Sequence, residues 1–125
     1  MNHVIDTSVL IDHSRGVPEA RDALRLAARD GILHSSEIVR AEFLILARGA
    51  ELRQLESLLD AVVWHPVDRR VAERAGELGR AWLPSHDGID AADFVIAATT
   101  LLLEARLLTR NIKHFPMIDG LVAPY

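Results

Sequence analysis

Val4-Ile5-Asp6-Thr7-Ser8-Val9-Leu10-Ile11-Asp12 is the stretch whose reading decides the fold. The apolar run His3-Val4-Ile5 has the length of a buried strand, Asp6 closes it, and Ser8 opens a segment with helical character. A second run, Leu107-Leu108-Thr109, is followed at once by Arg110-Asn111. Asp6 and Asn111 are therefore both expected just past the carboxyl end of a parallel strand. Ligands of open α/β sheets bind along that edge.

Outward from these two runs, short apolar segments alternate with longer amphipathic ones, and no linker, repeat or low-complexity stretch divides residues 1–125 into more than one domain. Strands are predicted over His3 to Asp6, Ile32 to His34, Val62 to His65, Leu107 to Thr109 and Leu121 to Ala123. Helices are predicted over Ser8 to His13, Pro18 to Arg29, Ser36 to Arg48, Glu51 to Asp60, Arg69 to Leu83 and Ala91 to Ala105. Such alternation implies βα units and an α/β fold whose parallel sheet is covered on both faces. The two consecutive helices between Ser36 and Asp60 suggest a helical protrusion.

The composition is 50% hydrophobic and 26% charged over 125 residues, enough for one domain to bury its own core. Cysteine is absent, which excludes a disulfide framework and a thiolate metal site. Charges interrupt every apolar stretch well short of a membrane span, and Met1-Asn2-His3 leads directly into a strand. A soluble, cytoplasmic protein is expected. The net charge of −4 argues against binding nucleic acid by bulk electrostatics, so any such role requires local basic patches or metal ions.

Four candidate site residues stand out. Asp6 fits a helix N-cap equally well, since a strand-ending Asp accepts a bond from an orphan N–H. Glu42 has Ile38, Ala41 and Ile45 around it at helical spacing, whereas Glu37, Arg40 and Arg48 mark the exposed face. A carboxylate on an apolar side needs an Arg or a metal cation as partner. Asp90 and Asp93 share a helix start, with Asp90 as N-cap and Asp93 in the first turn, where the dipole favours negative charge. Like charges gathered at one sheet edge repel unless a cation neutralises them, and an all-oxygen cluster selects Mg²⁺ or Mn²⁺. Asn111 would complete the set. Arg110 and Lys113 flank it and bring positive charge beside the acids. Arg21, Arg25 and Arg29 form a stripe best read as a solvated helix face.

The six histidines show no H-E-x-x-H spacing, and no G-x-S-x-G elbow or phosphate-binding G-x-x-x-x-G-K-[ST] loop is present. Zinc hydrolase, serine hydrolase and P-loop chemistry are thereby disfavoured.

Taken together, Val4-Ile5-Asp6-Thr7-Ser8-Val9-Leu10-Ile11-Asp12, Glu42 within Val39-Arg40-Ala41-Glu42-Phe43, Asp93-Phe94-Val95-Ile96-Ala97-Ala98 and Leu108-Thr109-Arg110-Asn111-Ile112-Lys113-His114-Phe115 resemble PIN-domain ribonucleases, specifically VapC-type toxins of bacterial toxin–antitoxin pairs. The resemblance spans nearly the whole chain. It implies a three-layer α/β/α fold with a doubly wound, mostly parallel central sheet, and a Mg²⁺- or Mn²⁺-dependent endoribonuclease. The family's metal-binding acids fall on Asp6, Glu42 and Asp93; its fourth, variable acidic position falls on Asn111, an amide. The implied partners are RNA, a VapB-type antitoxin with a basic tail entering the acidic site, and a second copy of the chain in a homodimer. Phe43, Leu44, Leu46, Leu55, Leu58 and Leu59 supply apolar surface for such contacts or for packing within a helical hairpin.

Other classes fit less well. A haloacid-dehalogenase phosphatase needs a second Asp two residues after the first, and that position is Ser8. A receiver module needs an acid at the end of its third strand, and Val62-Val63-Trp64-His65-Pro66 has none. A non-catalytic PIN-like scaffold, whose acids bind a basic segment of a partner, is the remaining alternative.

Overall fold

The computed structural model describes residues 1–125, with Gln54 and Leu55 described in backbone only. In chain order the elements are β1 (His3–Ile5), α1 (Thr7–Ser14), α2 (Pro18–Asp30), β2 (Leu33–Ser36), α3 (Glu37–Leu46), α4 (Gly49–Asp60), β3 (Val63–His65), α5 (Arg69–Trp82), α6 (Ala91–Leu102) and β4 (Arg106–Leu108), followed by a 3₁₀ turn over Ile112–His114.

All strands pair in parallel, in the order β3-β2-β1-β4. The chain winds outward from β1 through β2 to β3, then crosses back to place β4 on the far side of β1. Right-handed crossovers running in opposite directions put their helices on opposite faces, giving three layers. The winding reverses between β1 and β4, so a crevice opens at their carboxyl ends, where Asp6 and Thr109 emerge.

β1 can hold this central place because every one of its residues is buried, as a strand covered on both faces requires. Val4, Ile5, Val9, Leu10, Val39, Phe43, Ile96 and Phe115 form the heart of the core. α2 starts at Pro18, whose missing N–H costs nothing at a first helical position, and buries Ala20, Leu24 and Ala27 while Arg21, Arg25 and Arg29 face outward. Ser36 caps α3 by accepting from the Ile38 N–H, and Asp68 caps α5 by accepting from the Val71 N–H.

Several expectations need correction. No strand forms over 121–123: Gly120 turns the chain with φ of +69°, Val122 is 76% exposed, and Pro124 offers no N–H to a ladder. β2 lies one to two residues later than predicted because its register is set by β3, with His34 opposite Val63 and Ser36 opposite His65. The last predicted turn of α6 is lost where Glu104 takes a left-handed φ of 50° and ends the helix. On α3 the buried positions are Val39 and Phe43; Ala41 and Ile45 are exposed. Leu58 and Leu59 pack against the core, Leu44 and Leu46 stay exposed, and the predicted contribution of Leu55 lies outside the described side chains. No helix among the described residues is long and apolar enough to cross a membrane.

Candidate active site

Beyond the ends of β1 and β4 lies a cleft of about 470 Å³ bordered by Asp6, Glu42, Asp93 and Asn111, with Asp12 and Arg110 also on its walls. All four residues singled out by sequence thus come together. Two other hollows are larger, about 760 Å³ beside α2 and about 780 Å³ along α5 and α6, yet both are lined mainly by apolar groups. Its oxygen donors, rather than its size, distinguish the acidic cleft.

Asp6 is buried and its carboxylate makes no capping bond to α1, so the simple helix-cap reading fails. Instead Oδ2 accepts from Ser8 Oγ at 2.9 Å and from Thr109 Oγ1 at 2.6 Å. Thr109 Oγ1 in turn accepts from the Asn111 N–H at 3.0 Å, and Ser8 Oγ accepts from the Arg110 N–H at 3.1 Å. Two hydroxyls therefore lock the acid at the end of β1 to the backbone leaving β4. Among the described residues Oδ1 has no protein donor and is the oxygen left to a ligand.

Glu42 reaches the same cleft from α3, and Thr7 Oγ1 donates to its Oε1 at 2.8 Å. Burial raises its pKa above the usual carboxylate range; the Thr7 bond opposes that rise, and the charges of Asp6 and Asp90 add to it. No Arg among the described residues neutralises Glu42.

Asp93 opens α6 in a reciprocal box with Asp90. The Asp93 N–H donates to Asp90 Oδ1 at 2.9 Å, and the Asp90 N–H donates to Asp93 Oδ2 at 3.3 Å. Asp90 is thus the N-cap that its position predicts. The Asp93 side chain is 14% exposed, with His114 Nδ1 3.2 Å from Oδ2. Burial, reinforced by the Asp90 charge, pushes its pKa up to about 6, against the Asp90 backbone bond and the charge of His114.

The donor chemistry suits a hard cation: carboxylates and an amide oxygen, no thiolate, and two acids whose charge is disfavoured where they stand. Among the described residues no three Asp, Glu or His side chains are grouped closely enough to hold a metal ion as they stand. The acids share a cleft without closing into such a group.

The PIN domain family model matches residues 3–121. The chain belongs to the PIN-domain family. Ribonuclease VapC19 of Mycobacterium tuberculosis is 43% identical to this PIN domain over 123 residues, covering 98% of each chain. Ribonuclease VapC10 of the same organism is 39% identical over 122 residues, covering 98% of this chain and 92% of its own. Among solved structures, a toxin–antitoxin complex from Klebsiella pneumoniae superposes with a TM-score of 0.81 at 30% identity, covering 98% of both chains.

Three residues of this PIN domain, one lining the cleft and two touching residues that line it, escaped the sequence reading. Asp12 lies one turn after Ser8 on α1, a spacing that puts both on one face and was the available signal. His114 follows Asn111 in the 3₁₀ turn and meets Asp93. Tyr125, whose hydroxyl donates to Asp12 Oδ2 at 2.7 Å, sits 113 positions away, and no local pattern announces it.

Proposed function

We infer that this PIN domain is a divalent-metal-dependent endoribonuclease acting in the cytoplasm as the toxin of a toxin–antitoxin pair, restrained by a VapB-type antitoxin. The observation that carries the reading is the convergence of Asp6, Glu42, Asp93 and Asn111 on one cleft at the reversal of a doubly wound sheet. Full-length likeness to two proteins named as VapC ribonucleases supports the activity, and the Klebsiella complex supports the partner.

In this reading Asp6, Glu42 and Asp93 hold Mg²⁺ or Mn²⁺. The bound ion would supply positive charge against the phosphodiester and a water acidified enough to attack it. Asp6, fixed by Ser8 and Thr109, sets the position of the site relative to the sheet. Burial raises the pKa of both Glu42 and Asp93, the latter to about 6, so loading a cation below that pH would be coupled to proton release from Asp93. Asn111 offers its amide carbonyl as a neutral donor or as an acceptor that orients water; a neutral group here adds no further charge to the cluster.

The test is cleavage of RNA by the purified full chain with Mg²⁺, with Mn²⁺ and with EDTA. Metal-dependent cleavage that the cognate antitoxin suppresses is the expected result. An inert protein that still binds the antitoxin through its acids would establish the scaffold role instead.

A further inference from the structure

Among the residues bordering the cleft, one carries a fixed positive charge: Arg110. Its location is held at two levels by a single helix. Ser8 on α1 accepts from its backbone N–H at 3.1 Å, and Asp12, one turn further along α1, accepts from Nη1 at 2.9 Å. The same Asp12 oxygen accepts from the Tyr125 hydroxyl at 2.7 Å, and the guanidinium carbon lies 5.5 Å from the centre of the Tyr125 ring. Burial and the adjacent Asp12 charge keep the phenol protonated and hence a donor.

An ordinary surface ion pair would not need this arrangement, because exposed pairs contribute little to stability. Here the acid is mostly covered, with its side chain 17% exposed, while the Arg110 side chain is 54% exposed. Asp12 and Tyr125 form a shielded bracket, and the guanidinium is the part left outward. A guanidinium carries five N–H donors in a planar fork, and the Asp12 bond uses a donor on one nitrogen, so others remain for an incoming anion. Arg110 makes no ion pair with Asp6, Glu42 or Asp93 among the described residues, so it stands beside the candidate metal ligands without competing for them.

We propose that Arg110, bracketed by Asp12 and Tyr125, grips an RNA phosphate next to the one being cleaved and so sets the register of the strand in the cleft. The proposal rests on the ribonuclease reading above. Arg110 is the binding residue; Asp12 and Tyr125 are positioning residues. The bracket also accounts for how an acidic protein holds a polyanion: a single pre-oriented fork at the rim replaces a basic surface.

The test uses the full chain and a fluorescent single-stranded RNA that the wild type cleaves. Binding is measured in EDTA across a salt series, and kcat and KM are measured with Mg²⁺. Arg110→Ala should weaken binding about tenfold, as expected for a lost charged hydrogen bond. It should also lower the slope of log affinity against log salt by about 0.7, the loss of one phosphate contact on a single strand. Arg110→Lys should restore the slope and only part of the affinity, because it keeps the charge and loses the fork. Tyr125→Phe should raise KM about threefold with kcat unchanged, as a neutral hydrogen bond is removed from the bracket. Wild-type affinity and slope in Arg110→Ala, with the wild type still cleaving RNA, would overturn the proposal and leave the nuclease reading intact. An unchanged KM in Tyr125→Phe would overturn the bracket. A wild type that neither binds nor cleaves RNA would remove both proposal and nuclease reading.

Discussion

The two walls of the cleft are built on different principles. On the β1–α1–β4 wall, Asp6 takes two hydroxyl donors on one oxygen, and the backbones of Arg110 and Asn111 are tied to those same hydroxyls. On the α3–α6 wall, Glu42 has a single hydroxyl donor and Asp93 relies on its own helix start and on His114. Burial raises the pKa of both acids on this second wall. One wall is ordered by protein groups alone, whereas the other carries charge that the protein does not compensate. The difference teaches where a cation would matter most: it would be positioned by the first wall and would stabilise the second.

The largest effect that could break this comparison is expected at Asp6. Asp6→Asn should lower RNA cleavage by on the order of 10²–10³-fold, the scale of losing one preorganised electrostatic group. Thermal stability should change little, because both hydroxyls bond to the same oxygen and an amide carbonyl can accept from each. A melting temperature that collapses would mean that the first wall is structural rather than catalytic.

Asp93→Asn comes next and tests the second wall by a different readout. The folded-state pKa of about 6 lies above the ordinary 3.8, so folding binds a proton more tightly than the unfolded chain does. The stability linked to Asp93 is fully present below about pH 4 and is lost as pH rises through about 6. In EDTA at pH 7, replacing the acid should therefore raise stability, on the order of 1–3 kcal/mol, with the gain vanishing near pH 4. Cleavage should be lost in the same variant. Chemical denaturation at the two pH values checks the sign, and a variant less stable at pH 7 would mean that the His114 contact outweighs the buried charge.

Smaller effects sharpen the contrast. Thr109→Val removes one of the two hydroxyls on Asp6 and should cost about 10–100-fold in Mn²⁺ affinity or rate, the usual scale for a group that orients a ligand. Isothermal titration with Mn²⁺ would show this, and unchanged affinity would mean that Ser8 alone fixes the acid. Asp90→Asn should cost least. The amide still caps α6, so stability should fall by no more than about 1 kcal/mol, and cleavage should persist at a reduced rate. An inactive Asp90→Asn variant with normal metal affinity would assign Asp90 a role beyond its cap.

How much of this was legible in the sequence follows from the range of the forces involved. Asp6 after Val4-Ile5 and Asn111 after Leu107-Leu108-Thr109 were readable because a buried strand writes itself as a short apolar run, and its end fixes the next side chain at the sheet edge. Asp90 and Asp93 were readable as a helix start for the same local reason. Glu42 was found, although the face assigned to it was wrong in part: Val39 and Phe43 are the buried positions, and Ala41 and Ile45 face solvent. The spurious strand over 121–123 had suitable apolar letters and no ladder to join. The Asp12–Tyr125 bond could not be read, since it joins side chains 113 residues apart and leaves no periodic trace.

The neighbouring placement of β1 and β4 also governs when the molecule can become active. Ribosomes deliver Asp6 103 residues before Thr109, which completes its lock, at roughly 5–20 residues per second. Until residues 106–111 have emerged and docked, Asp6 lacks Thr109 and the cleft lacks Arg110 and Asn111. A nascent or prematurely terminated chain therefore carries the acids of its first half with no finished site to use them. Cutting power arrives only once β4 has docked beside β1 and the domain closes.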